Sequence, residues 1–325
     1  AVIMAGGEGS RLRPLTCGRP KTMVPVANKP VMQHIIELLK KHGIDDIAVT
    51  LLYMPEAIKE YFGDGRDYGV NISYFLEDTP LGTAGSVKNA EEFLDDTFIV
   101  ISGDALTDAD LKSALEFHNA KRSVTTLLLK KVDIPLEYGV VVTDKEGRIT
   151  RFLEKPSWGE VFSDTVNTGM YILSPDVLKL IPKNEMFDFS KDLFPLILKN
   201  NMPIYGYIID DYWCDIGDPQ AYIQSHIDIL DGKVKINIPA REIAKNIWVG
   251  EGAVIDELSC LKAPCIIGSY TRVRKNSFIG ESSVVGDFNI IGEGASIKRS
   301  IIWNNAIIDE KVELRGSVIC DKVHF

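Results

Sequence analysis

The stretch that decides the fold is Gly6-Gly7-Glu8-Gly9-Ser10-Arg11-Leu12-Arg13-Pro14-Leu15-Thr16, closing on Pro20-Lys21. It follows a short apolar run, Ala1 to Met4, that reads as a buried strand. Three glycines let the chain turn sharply and come close to a ligand. Successive amide N–H groups in such a turn form a nest for anions. Arg11, Arg13 and Lys21 add positive charge around it. Strand, nest and cations together point to a polyphosphate site. The motif is not a P-loop, because no Lys-Ser/Thr pair follows the last glycine. Nor is it the dinucleotide fingerprint, because Leu12 stands where the third glycine belongs.

Beyond this loop, strands and helices alternate. Val31 to His42 carries one apolar stripe and basic residues at its C-terminal end, so it reads as a helix stopped by Gly43. Strands are expected at 47–53, 70–76 and 98–102, and helices at 55–62, 84–95 and 108–119. This alternation predicts a Rossmann-like α/β domain with a mixed, mostly parallel sheet. After Ser123 the pattern turns to strands at 124–132, 138–142, 148–153 and 166–173, read as an insertion covering one side of the sheet. Helices near 175–181 and 190–200, strands 204–209 and 212–216, and a helix over 219–231 complete a domain of residues 1–232.

Residues 233–246 have mixed composition and read as a linker. From 247 to 325 a different rule holds. Val249, Ile255, Leu261, Ile267, Val273, Ile279, Val285, Ile291 and Ile297 recur every six residues, and after a slip of one Ile302, Ile308 and Leu314 continue. Small or polar residues, among them Ala253, Ser259, Cys265, Thr271 and Asn289, fall four after each. A helix repeats at 3.6 and a strand at 2, so a strict six points to a hexapeptide β-helix of about four coils. The pattern is still running at Phe325, so a further domain or coil is expected after it.

Composition narrows the function. A chain of 325 residues is long enough for two domains. Its 45% apolar and 25% charged residues are ordinary for a soluble globular protein. A net charge of −10 argues against a nucleic-acid partner bound through overall basicity. Charged or polar residues interrupt every apolar stretch, so no membrane association is expected, and the N-terminal run is too short for a signal peptide. The chain opens on Ala1, so a residue or two of the first strand is expected to precede it. Cys17, Cys214, Cys260, Cys265 and Cys320 are scattered and odd in number, which suits reduced thiols in the cytoplasm.

The glycines taken with Arg11, Pro14, Thr16 and Pro20-Lys21 resemble the signature of the sugar-1-phosphate nucleotidylyltransferases, also called nucleotide-sugar pyrophosphorylases. The resemblance implies an NTP and a sugar-1-phosphate as substrates, Mg²⁺ as cofactor, and a left-handed form for the C-terminal β-helix. Asp104 ends an apolar strand, where open α/β sheets bind ligands. A lone Asp there can also be a turn or cap, but the next helix is better capped by Thr107 or Asp108. The family places a metal ligand at this position and a second at Asp215, leaving Asp218 to cap the helix at Pro219. Arg11 and Lys21 take leaving-group and transferring-phosphate roles by the same resemblance, with Arg13 assisting.

Three further pieces fall in the β-rich part and imply a sugar site. Glu154-Lys155-Pro156 ends a strand; the charges could simply be solvated, while the resemblance gives Lys155 the sugar phosphate and Glu154 a sugar hydroxyl. Asn167 and Gly169 stand within a strand, where glycine often marks a close backbone approach. Gly139 is similar. Gly6, Gly7, Gly9, Ser10 and Arg11 would cover the triphosphate, and Glu77, Pro80, Gly82 and Thr83 the base. A carboxylate at 77 only accepts hydrogen bonds, which matches the two adjacent donors of guanine better than the edge of adenine. Pro80-Leu81-Gly82-Thr83-Ala84-Gly85, Glu154-Lys155-Pro156 and Asn167 to Tyr171 look most like the mannose-1-phosphate guanylyltransferase branch. Uracil also offers a donor, so glucose-1-phosphate uridylyl- or thymidylyltransfer stays open. So does a non-catalytic subunit of the same fold, although such relatives lose charged signature residues that are present here. No His lies among the repeats before His324, which argues against an added acyltransferase activity. The solenoid is expected to make the protein a homo-oligomer.

Overall fold

The structure is a computed structural model that describes residues 1–256 and 261–325; Ser259 of the repeat and Cys260 lie outside the described residues. In chain order the first part runs β1 (Val2–Met4), β2 (Pro25–Val26), β3 (Lys29–Pro30), α1 (Val31–Lys41), β4 (Asp46–Leu51), α2 (Pro55–Phe62), β5 (Asn71–Leu76) and α3 (Gly82–Asn89). It continues β6 (Phe98–Ser102), β7 (Ala105–Thr107), α4 (Leu111–Ala120), β8 (Thr125–Lys131), β9 (Gly139–Thr143), β10 (Ile149–Glu154) and β11 (Thr165–Leu173). Then follow α5 (Phe194–Lys199), β12 (Ile204–Ile208), β13 (Trp213–Asp215) and α6 (Pro219–Leu230).

Two compact units result. The first takes in Ala1–Ser10, Gly18–Met23 and Ile35–Asp215; the second takes in Arg11–Cys17, Val24–His34 and Ile216–Phe325. Composition alone suggests a break near Gly232, whereas the second unit gathers the β2–β3 hairpin and α6 together with the solenoid.

In the first unit a nine-stranded mixed sheet has the path β10-β9-β11-β6-β1-β4-β5, with β8 on β11 and β12 on β8. β6, β1, β4 and β5 are mutually parallel. The apolar, β-branched residues of β1, β4 and β6 are buried almost throughout, as strands covered on both faces require, while the edge strand β5 leaves Leu76 exposed. The strands after Ser123 do not cover the sheet as expected. They extend it, because β11 pairs antiparallel with β6 along Met170 to Leu173. The helix expected at 84–95 ends at Asn89, and a separate turn Glu91–Phe93 follows. The helix after β6 begins later than expected, and its cap is Asp110, which accepts from the Lys112 and Ser113 amides. Thr107 and Asp108 are engaged elsewhere, since β7 pairs with β13 and Asp108 accepts from the Tyr212 amide. Asp218 does cap α6, as expected.

In the second unit the strands of the solenoid form three parallel faces. Residues 247–249, 265–267, 283–285, 301–302 and 318–319 make one; 254–255, 272–273, 290–291 and 307–308 the next; 278–279, 296–298 and 313–315 the third. Val273, Ile279, Val285, Ile291 and Ile297 point inward and are fully buried. Val285 pairs with Ile302 and Ile302 in turn with Ile319, each one residue closer along the chain than Ile267 is to Val285, so the slip shortens these coils without breaking register. Arg241–Ala244, inside the expected linker, forms an antiparallel strand on the first coil. The Trp303 indole donates to the Tyr222 hydroxyl at 2.8 Å, which donates to the Pro25 carbonyl at 2.7 Å. Asn28 donates to the Val285 carbonyl at 3.0 Å. Hairpin, α6 and coils are thus joined by hydrogen bonds that would be costly to leave unmade in a buried setting.

Candidate active site

A cavity of about 300 Å³ opens beyond the carboxyl ends of β6, β1, β4 and β5. It is lined by Met4, Gly6, Gly7, Lys21, Thr22, Leu52, Glu77, Pro80, Gly82, Thr83, Ser86, Ser102, Asp104 and Asp188. Parallel strands carry ligands at this edge because their loops and helix N-termini converge there.

At the β6 end three segments meet. A Cβ on Gly103 would lie 2.7 Å from the Met4 carbonyl and 2.6 Å from Thr22 Cγ2. Glycine therefore lets the chain leaving β6 lie against the turn Lys21–Met23. The Lys21 ammonium contacts Asp104 Oδ2 and stands 3.6 Å from Asp215 Oδ1. β13 brings Asp215 opposite Ala105, one residue beyond Asp104. The Ser102 hydroxyl donates to Asp104 Oδ1. Burial pushes the Asp104 carboxyl up, but the charge of Lys21 and hydrogen bonds from Lys21 and Ser102 outweigh it and hold the group below its ordinary value. Two carboxylates thus converge on one cationic point. Such a donor set suits Mg²⁺, which takes one or two carboxylates and fills its shell with phosphate oxygens and water. Among the described residues no group of three or more His, Cys, Asp or Glu forms a closed metal cage.

The opposite end is built by β5 and α3. Glu77 Oε2 accepts from the Leu81 amide at 3.1 Å, and Oε1 lies 3.5 Å from the position of a Cβ on Gly6. Asp188, absent from the sequence expectations, accepts from Thr83 through both its amide and its hydroxyl at 3.1 Å. A single Asp at the head of the turn Phe189–Leu193 has no motif to reveal it.

The expected sugar residues lie on β9, β10 and β11. Glu154 is paired with Gly139, and a Cβ on Gly139 would sit 2.7 Å from Glu154 Oε2. Lys155 is exposed, holds a left-handed backbone at φ +45°, and donates its amide to the Tyr138 carbonyl at 3.0 Å. Such a conformation is uncommon for a long side chain. The Asn167 amide donates to the Tyr171 hydroxyl and accepts from the Gly169 amide, both at 3.0 Å. One N–H and one lone pair remain for a ligand. Gly169 stands in the irregular part of β11, with a Cβ position 3.3 Å from Ser102 Cβ, next to the residue that holds Asp104. Trp213 donates to the Thr168 carbonyl at 3.0 Å, and its ring meets Tyr138 edge-on at 5.4 Å. Gly9 has φ +71°. Ser10 starts the turn Ser10–Leu12 and is exposed, as are Arg11 and Arg13, which belong to the segment Arg11–Cys17 of the second unit.

A strand-end cavity with a lysine–carboxylate cluster at one end and a carboxylate-bearing strand-to-helix loop at the other would suit a nucleotide-handling α/β transferase. Residues 1–232 match the nucleotidyl transferase family. Over 342 aligned residues the chain is 37% identical to the UTP–glucose-1-phosphate uridylyltransferase of Synechocystis sp., covering 100% of this chain and 87% of that protein. It is 33% identical over 301 residues to the mannose-1-phosphate guanylyltransferase of Mycobacterium tuberculosis, covering 92% and 83%. The structure of HddC from Yersinia pseudotuberculosis complexed with GMP-PN superposes with a TM-score of 0.60 at 29% identity, over 69% of this chain and 96% of that one. The chain belongs to the nucleotidyl transferase family, and within it to the sugar-1-phosphate nucleotidyltransferases. No helix among the described residues is long and apolar enough to cross a membrane.

Proposed function

We propose that the protein transfers a guanylyl group from GTP to mannose-1-phosphate in the cytoplasm, giving GDP-mannose and pyrophosphate. The polarity of the cavity carries this reading. Lys21, Asp104 and Asp215 gather at the β6 end, and Glu77 closes β5 at the other. The strands that carry them lie three places apart in the path β6-β1-β4-β5, and the Glu77 carboxylate reaches back toward the Gly6 loop, so that the cavity between suits a nucleotide.

The sugar phosphate is already anionic at neutral pH, so its oxygen attacks the α-phosphorus in line without a general base. Both substrates are negative, and catalysis comes from positioning and charge neutralisation. Asp104 and Asp215 would hold a Mg²⁺ that, when bound, offsets charge on both phosphates. Lys21 attends the transferring phosphate, and Arg11 steadies the leaving pyrophosphate with help from Arg13. Lys155 orients the nucleophile, Glu154 and Asn167 hold sugar hydroxyls, and Gly139 and Gly169 leave room for the ring. Gly6, Gly7, Gly9 and Ser10 cover the triphosphate. Glu77 accepts from the base edge above Pro80, Gly82 and Thr83.

Uridylyl transfer to glucose-1-phosphate is the second reading, favoured by the likeness to the Synechocystis sp. protein along the whole of this chain and by the single donor of uracil, which Glu77 also suits. Pyrophosphate release over a grid of four NTPs against mannose-, glucose- and N-acetylglucosamine-1-phosphate separates the two. GTP with mannose-1-phosphate is expected to give the highest kcat/KM; a maximum at UTP with glucose-1-phosphate would replace the first reading by the second.

A further inference from the structure

We infer that Asp188 is a positioning residue for the nucleotide: it supplies, from a turn far downstream, the N-cap that α3 lacks, and so fixes the loop that receives the nucleoside. The inference rests on the nucleotide reading of the cavity given above. The N-cap position of α3 is Leu81, which has no side chain able to accept a hydrogen bond. The first amides of a helix have no partners within it and must find them elsewhere. Here the replacements come from one short segment. Thr83 N–H and Oγ–H donate to Asp188 Oδ1, and the Thr83 hydroxyl accepts from the Phe189 amide at 2.9 Å. The Ala84 and Gly85 amides donate to the Phe187 carbonyl at 2.9 Å, and the Phe187 amide returns to the Leu81 carbonyl at 2.9 Å.

The two segments are in backbone contact. A Cβ on Gly82 would meet the Phe187 carbonyl at 2.8 Å, and one on Gly85 the Glu185 carbonyl at 2.8 Å. At both positions a side chain would run into the capping segment. Leu81 to Thr83 is therefore held between Glu77 on one side and Asp188 on the other. The helix end is already satisfied by an anion, which such an end favours. With these amides taken, they are not offered to a triphosphate, and the loop from Leu81 to Thr83 is left fixed for the nucleoside.

The experiment measures KM for the NTP and for the sugar-1-phosphate, and the inhibition constant of inorganic tripolyphosphate, in Asp188→Ala and Asp188→Asn. The NTP is whichever one gives the highest turnover, so a failure of guanosine preference leaves this test standing. Asp188→Ala is expected to raise the NTP KM about tenfold, the scale of a lost cap, with tripolyphosphate inhibition and the sugar-1-phosphate KM unchanged. Asp188→Asn, whose amide oxygen can still accept from Thr83, is expected to recover most of the loss. An unchanged NTP KM in Asp188→Ala, or a parallel rise in all three constants, would overturn the inference. Should Asp188→Ala not fold, Thr83→Val removes the hydroxyl link alone; a several-fold rise in NTP KM is then expected, and no rise would overturn it.

Discussion

Lys21 illustrates how far single residues can be read. Its place after Pro20, beyond a glycine nest, marks it as a phosphate-site cation, and the fold brings it against two carboxylates. Replacing it with Met removes the ammonium between those carboxylates and the substrate phosphates. We expect Lys21→Met to lower kcat by about two to three powers of ten, as losses of transition-state charge stabilisation do, with unchanged circular dichroism. An active Lys21→Met protein would remove its assigned role. Asp104→Asn is expected to weaken Mn²⁺ binding measured by calorimetry, since an amide is a poorer ligand for a hard cation; unaltered binding would move the metal elsewhere. Asp104 and Glu77 stood out as candidates because each follows a strand end, and Asp215 through the family resemblance; the fold brings Asp104 and Asp215 to Lys21. Asp188 did not stand out, because it works through Thr83 and Phe189, contacts that exist only once distant segments meet.

At the scale of elements, strand and helix positions followed from periodicity, while pairings did not. β11 joins β6 antiparallel and enlarges the sheet, since an apolar strand edge looks alike whichever partner covers it. α4 starts late because Thr107 is taken up in β7 against β13 and Asp108 accepts from the Tyr212 amide. Gly139 ties an element to the site: Gly139→Val drives a side chain into Glu154 and Phe152. The expected result is a raised KM for sugar-1-phosphate with the NTP KM little changed; the reverse pattern would detach β9 from the sugar. Histidines on the helices also take interior places that periodicity does not announce. His226 is held by the Ala27 amide and the Tyr222 carbonyl. Burial depresses its pKa from 6.5 to about 4, opposed by the Tyr222 carbonyl and aided by His34. Between those values the unfolded chain binds more protons than the folded one, so stability is present above pH 6.5 and is lost as pH falls toward 4. The melting midpoint of His226→Gln should decline less over that window; identical slopes would contradict this.

For the whole molecule, the six-residue rhythm told the solenoid apart from the sheet domain in the sequence alone. What it could not convey is that Arg11–Cys17, the β2–β3 hairpin and α6 cluster with the coils, because those contacts depend on Tyr222, Trp303 and Asn28 meeting across the chain. One outer face of the solenoid carries Val254, Ile290 and Ile307, each more than a third exposed. We propose that the protein is a homo-oligomer built through this module, so that light scattering finds a multiple of the protomer mass, reduced by Ile290→Asp with Ile307→Asp. A wild-type monomer would contradict it.

The central claim is direct, in-line transfer of a nucleotidyl group to a sugar phosphate, with no covalent enzyme intermediate. A single displacement inverts the α-phosphorus, whereas transfer through the protein would invert it twice. The most direct measurement is the stereochemical course with the preferred NTP carrying a chiral α-phosphorothioate. Inversion in the NDP-sugar product is the predicted result, and retention would contradict the account.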